Sequence, residues 1–263
     1  MKKIGLALAA LSCFMFANNA FAIDTTELLD KGVVEVAPTI GLINLHKGAK
    51  PAWESDIYVG YGALEFMTIS TGLSMATDEA FADGGIGLNF DLLFTPLDTE
   101  NFDIDFHVNF GWGGNFVMTP GLELNFDSDN EMSGFGAFLN LDFPMYSGHV
   151  AKNPRDLGND DDDGRLEEVK TDFTFALSLG LYYTFMEGNQ LLAQGGINIP
   201  RMAEKLGERR TDGFVAVGYN VEVMENFEIV SEVRIDIPDR KVKPKEDVSA
   251  AITVGAIIDL PMM

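Results

Sequence analysis

The segment Phe102-Asp-Ile-Asp-Phe-His-Val-Asn-Phe-Gly-Trp112 alternates without a break between apolar residues and polar or small ones. Successive residues of a β-strand point to opposite faces, so this segment makes a strand with one oily and one wet side. Phe102, Ile104, Phe106, Val108, Phe110 and Trp112 share the first face; Asp103, Asp105, His107, Asn109 and Gly111 share the second. A sheet built from such strands must put the oily face against something apolar, and few architectures do that along a whole chain.

The same period of two recurs almost everywhere after the first twenty-two residues. Ile86, Leu88, Phe90, Leu92 and Phe94 oppose Gly87, Asn89 and Asp91. Phe173 to Phe185, Val215 to Val223, Phe227 to Ile237 and Ala250 to Leu260 repeat the pattern. Strands are expected at 33–44, 56–64, 67–76, 83–95, 102–113, 117–126, 133–145, 171–185, 190–199, 213–224, 227–238 and 248–260, which makes about twelve. The links between them have a second rhythm. Glu65-Phe66, Pro96 to Asn101, Asp127 to Met132, Glu187 to Gln190 and Glu225-Asn226 are short. His46 to Ser55, Thr77 to Asp83, Ser147 to Lys170, Arg201 to Asp212 and Asp239 to Asp247 are mostly longer and more polar, with Gly113-Gly114-Asn115 the exception. Short turns on one side and long loops on the other mark an up-and-down transmembrane barrel, and an even strand count leaves both termini on the turn side.

A soluble β-sandwich or lipocalin-like barrel also alternates, with its apolar face inward. Three features favour lipid. The oily faces are long and uniform, the opposite faces are small and acidic, and none of the oily faces carries a charge, which at the bilayer midplane would cost about 2–4 kcal/mol for Lys or Arg. The expected fold is all-β: a closed antiparallel up-and-down transmembrane β-barrel of about twelve strands, with no free sheet edge in hydrocarbon.

Composition narrows the classes further. The chain has 18 Lys and Arg against 41 Asp and Glu, a formal net charge of -23. Such an acidic chain is a poor nucleic-acid binder, since phosphate contacts need cations. Its 46% hydrophobic content argues against disorder. A single cysteine excludes a disulfide framework. Met1-Lys2-Lys3, an apolar stretch from Ile4 to Phe16, and Ala20-Phe21-Ala22 together read as a bacterial secretory signal peptide over 1–22, leaving the barrel domain at 23–263.

Over 23–263 the chain resembles Gram-negative outer-membrane β-barrels of the porin-like and transporter-like kind. Its hairpin Tyr219-Asn-Val-Glu-Val-Met-Glu-Asn-Phe-Glu-Ile-Val230 is similar to theirs. The resemblance implies a bacterial outer-membrane location and contact with membrane lipid and lipopolysaccharide. It departs from such barrels at Asp259-Leu-Pro-Met-Met263, where an aromatic terminal residue is usual.

With the oily faces outward, the lumen is expected to receive Glu35, Asp91, Asp103, Asp105, His107, Glu123, Asp142, Glu222, Glu228, Glu232, Arg234, Asp236 and Asp259. So many carboxylates need water, and a wet acidic pore concentrates cations. The expected function is passive diffusion of small cationic or neutral solutes, with no cofactor. The alternative is a non-conducting structural or adhesive barrel. A hydrolase ranks lower: His46, His107 and His149 are the only histidines, and no Gly-x-Ser-x-Gly or zinc-protease motif accompanies them.

Two loop features stand apart. In Asn159-Asp-Asp-Asp-Asp-Gly164, the residues Asn159, Asp161 and Asp163 place oxygen ligands at alternate positions, as a calcium loop does. Position twelve is Lys170 rather than Glu, so a solvated acidic loop is the favoured reading. Arg201, Lys205, Arg209 and Arg210, with Arg240, Lys241, Lys243 and Lys245, gather in two outer loops, where they keep the loops soluble or meet lipopolysaccharide phosphates.

Overall fold

The computed structural model describes residues 28–43, 45, 51–77, 85–99, 101–112, 116–128, 133–151, 166–185, 189–200, 212–237 and 248–261. The expected signal peptide lies outside them. Thirteen strands follow one another: β1 (Val33–Ile43), β2 (Ala52–Leu64), β3 (Met67–Thr77), β4 (Gly85–Thr99), β5 (Phe102–Trp112), β6 (Phe116–Ser128), β7 (Ser133–Asp142), β8 (Met145–Ala151), β9 (Leu166–Phe185), β10 (Asn189–Pro200), β11 (Asp212–Met224), β12 (Phe227–Ile237) and β13 (Ser249–Pro261). Every pairing is antiparallel, and apart from β7 and β8, which do not pair with each other, consecutive strands are neighbours in space.

β7 and β8 are two halves of one stave. β6 pairs with β7 from Gly121↔Asp142 to Ser128↔Phe135, then with β8 from Phe116↔Ser147 to Met118↔Met145. The break falls at Phe143-Pro144, opposite Pro120. Proline has no N–H to give the ladder, so two facing prolines interrupt it. Phe143 N still donates to Pro120 O at 3.0 Å. β9 pairs with both halves and with β10, and β1 pairs with β13 from Val33↔Pro261 to Leu42↔Ile252. The ring closes on twelve staves, as expected.

Three boundaries differ from the sequence reading. β2 starts at Ala52 rather than 56. β4 runs on to Thr99 through a bulge between Phe94 and Leu97, reducing the expected Pro96–Asn101 link to the two residues 100–101. β8 and the first part of β9 occupy both ends of the expected loop 147–170. In each case the extra residues lie at a stave end, where neither face must be apolar. Pairing continues there without the alternation that betrays it.

The outer face is oily from end to end. Ile86, Leu88, Val217, Val233 and Leu179 are all between 49% and 59% exposed, and the large exposed apolar side chains are spread over the whole circumference. A water-soluble protein does not expose apolar surface on this scale, whereas hydrocarbon demands it. Aromatic rings gather at both rims. On the turn side Phe66 meets Phe94 at 5.4 Å and Phe185 meets Tyr219 at 6.3 Å; on the loop side Trp112 meets Phe116 at 5.0 Å and Phe143 meets Phe175 at 5.5 Å. Such girdles sit at the two interfaces of a bilayer. The turn Glu225-Asn226 between β11 and β12 is tight enough to hold Asn226 at φ 72°.

Candidate functional site on the inner wall

Register fixes which side chains share the inner wall. From β4 to β7 the inward rows are Asp91↔Asn109↔Thr119, then His107↔Gly121↔Asp142, then Asp105↔Glu123↔Asn140, then Asp103↔Asn125↔Phe138. Asp105, His107, Asn109, Thr119, Glu123, Asn125 and Asn140 are all buried, and Glu123 has no exposed surface at all.

The polar groups are partly paired across strands. His107 Nε2 lies 2.7 Å from Asp142 Oδ1. Gly121 stands between them in the register, and a Cβ there would collide with both. The missing side chain is what lets β5 and β7 touch across β6. Asp105 accepts from Thr95 Oγ1 and, at 2.9 Å, from Asn125 Nδ2. His107 therefore pairs with Asp142, two staves away, and not with Asp103 or Asp105 on its own strand. Its Nδ1 has no hydrogen-bond partner among the described residues, so no serine hydroxyl is held there as a nucleophile would be.

Across the ring, β12 carries Glu228, Glu232, Arg234 and Asp236 on inward positions. Arg234 Nε donates to Asp236 Oδ1 at 2.7 Å, and its guanidinium lies 4.0 Å over the ring of Phe214. The planar cation is thus held by charge on one edge and by a π-face beneath. Glu35 and Asp259 oppose each other directly between β1 and β13. Asp91, Asp103 and Asp142 are half-buried on inward positions, and Glu222 is exposed near the turn between β11 and β12.

Several inward residues escaped the sequence reading. Glu54 and Asp56 stand on the inner face of β2, where Asp56 Oδ2 accepts from Thr39 Oγ1 at 3.3 Å. The alternation there is broken by polar Ser55 between Trp53 and Ile57, so the expected strand begins only at 56. Gln194 and Asn198 are buried on the inner face of β10, with Gln194 Nε2 donating to Ser178 Oγ at 3.0 Å. The inner wall is not all polar. Phe138 covers Gly180, Tyr182 covers Gly136, and Phe214 covers Gly196 and clusters with Leu192 and Ala216.

Asn159, Asp161 and Asp163 lie outside the described residues, as does His46; His149 falls in β8, where no side chain is described. Among the described residues no group of three or more His, Cys, Asp or Glu is placed to hold a metal ion.

No family model and no curated protein matches the chain. Its fold does match solved structures. The NanC porin aligns over 86% of this chain and all of its own, at 11% identity and a TM-score of 0.57. The COG4313 outer membrane channel from Pseudomonas putida F1 aligns over 90% of this chain and all of its own, at 11% identity and 0.55. The translocator domain of the autotransporter NalP from Neisseria meningitidis aligns over 98% and 99%, at 10% identity and 0.58. At such identities the likeness is one of fold: an outer-membrane-type β-barrel shared by porins and autotransporter translocators.

Proposed function

We propose that this chain is a porin-type channel of the bacterial outer membrane, passing small cationic or neutral solutes by diffusion. One observation carries the reading. The outer face is apolar and uncharged over its middle, while Arg234 is the only Arg or Lys among the side chains described on an inner wall that holds carboxylates on β1, β2, β4 to β7, and β11 to β13. A low-dielectric sleeve around fixed negative charge raises the local cation concentration and repels anions. The solved channels that share the fold support the transport class. The acidic wall supports the sign of the preferred solute.

Reconstitution into planar bilayers tests it. Expected are discrete conductance steps and a reversal potential, under a KCl gradient, on the cation side. Asp105→Asn with Glu123→Gln should shift the reversal potential toward zero. Anion selectivity, or a reversal potential unmoved by the double variant, would defeat the acidic-lumen reading.

A second reading has its own observation. Phe138 is 1% exposed and Leu192 3% exposed on the inner wall, as in a barrel whose interior is filled by side chains. A non-conducting structural or adhesive barrel would look like this, and silence in the bilayer experiment would favour it. In either reading, the basic stretches 201–210 and 240–245, which lie outside the described residues, are proposed to aid solubility or to meet lipopolysaccharide phosphates.

A further inference from the structure

The residues just before β1 do not leave the barrel. Gly32, at φ 86°, turns the chain back at the turn-side end, a conformation that L side chains rarely adopt. Gly32 N donates to Gly62 O at 2.8 Å, and Val33 N donates to Asp30 O at 2.9 Å, closing the reversal. Leu29 N then donates to Thr68 Oγ1 at 2.9 Å. Gly62 and Thr68 face each other on the inner side of β2 and β3. Residues 28–32 therefore lie against the inner wall, within the turn-side mouth.

The wall is shaped to receive it. A Cβ on Gly62 would strike the carbonyl of Asp30 and come within 2.7 Å of Leu29 O; a Cβ on Gly60 would come within 2.8 Å of Leu29 Cδ1. Two inward glycines at i and i+2 on one strand thus form a shallow track the width of a backbone. Leu29 is 8% exposed there, and Thr68 beneath it 2%. An apolar side chain, two hydrogen bonds to the wall and a fitted track are more than a passing terminal segment needs.

We propose that the segment Leu28 to Gly32 is a built-in strap that narrows the turn-side mouth of the channel, seated on the Gly60–Gly62 track and released when that track is filled. The narrowing rests on the channel reading above; the seating does not. The strap adds five residues of backbone and the Leu29 side chain to a lumen that only twelve staves enclose, so it removes a sizeable share of the open section at that level. Its hold is modest and local, as a device that moves independently of the barrel requires.

Gly62→Ala is the selective variant. The atoms a Cβ would meet there belong to Leu29 and Asp30, so the strap is displaced and the barrel is not. Alanine is otherwise acceptable in a strand. The full chain with Cys13→Ala and Leu29→Cys, with and without Gly62→Ala, is reconstituted and exposed to a membrane-impermeant maleimide. Urea unfolding alongside checks that the barrel is intact. The expected result is labelling at least about tenfold slower in the protein that keeps Gly62 than in the one carrying Gly62→Ala, and a single-channel conductance at least about 1.5-fold higher in Gly62→Ala than in the parent. Equal labelling rates overturn the seating. Unequal labelling with unchanged conductance overturns the narrowing. If neither protein conducts while the labelling difference persists, the channel reading fails and the narrowing with it, and the strap remains as a seated segment.

Discussion

On β4 to β7 the inner wall is built mostly of carboxylates and amides, whereas on β9 to β11 it holds glycines covered by aromatic rings, one of them Phe138 reaching across from β7. The first region spends its inward positions on Asp91, Asp105, Asn109, Glu123 and Asn140, with Asp105 hydrogen-bonded to Asn125 and His107 paired with Asp142 across the staves. The second leaves Gly180 and Gly196 empty, and the rings of Phe138 and Phe214 occupy the space that side chains at those positions would take. Both regions answer to one constraint, that the backbone pairing must remain unbroken around the ring. They differ in what holds the side chains still: directed polar contacts on one side, close fit on the other. Fit fails when volume changes; polar contact fails when a partner is removed.

The largest expected effect follows from fit. Phe138→Ala should lower the unfolding free energy by about 3–5 kcal/mol if the ring is packed against the wall on both faces. Urea titration of the reconstituted barrel measures it. A loss below about 1 kcal/mol would mean that the ring stands in water and that the two regions are alike. Val233→Lys is next. Val233 is 49% exposed on the outer face, and a cation there should cost about 2–4 kcal/mol. Glu232→Gln, one residue away on the inner face, should cost less in the same titration. Equal costs would contradict the assignment of the two faces.

Gly180→Ala probes the same fit from the other side. The new methyl would run into the Phe138 ring, so overpacking of about 1–3 kcal/mol is expected, although alanine suits a strand better than glycine does. Combining it with Phe138→Ala should return most of that loss. Additive losses would show that the glycine serves something other than the ring.

The outer face was legible in the sequence because lipid tolerates few polar exceptions, such as Thr71 and Ser231, whose hydroxyls donate to backbone carbonyls. Phe102, Ile104, Phe106, Val108, Phe110 and Trp112 all had to be apolar, so the stripe is continuous and its period unmistakable. The twelve staves, their order and the even-numbered turns follow from that stripe. The inner wall was legible only as the complementary slot. That slot admits Asp105 and Phe138 alike, since a lumen can be filled by water or by rings. Hence the alternation gave the positions but not the contents: Phe138, Leu192 and Phe214 sit where polar residues were anticipated. The His107–Asp142 contact was hidden for another reason. It depends on the registers of β5 on β6 and β6 on β7 together, and on the empty place at Gly121, none of which a single strand encodes. The mouth contact of Leu29 was hidden likewise, because five residues ahead of a strand carry no periodicity.

The smallest effect tests how dry the polar region is. His107 Nε2 and Asp142 Oδ1 are 2.7 Å apart, with side chains 8% and 20% exposed. In a region closed to water, removing one partner leaves the other buried without its contact, and the pair should be coupled by about 1–2 kcal/mol. In a hydrated lumen, water replaces the lost partner and screens the pair, so the coupling should fall below about 0.5 kcal/mol. A double-mutant cycle of His107→Gln and Asp142→Asn separates the two cases, because each substitution roughly preserves size while removing the native partner. Strong coupling would bring β4 to β7 toward the close-fitted character of β9 to β11 and weaken the channel reading. Weak coupling would keep the two regions distinct, one bathed and one packed, with the carboxylates of β4 to β7 in contact with water and passing ions.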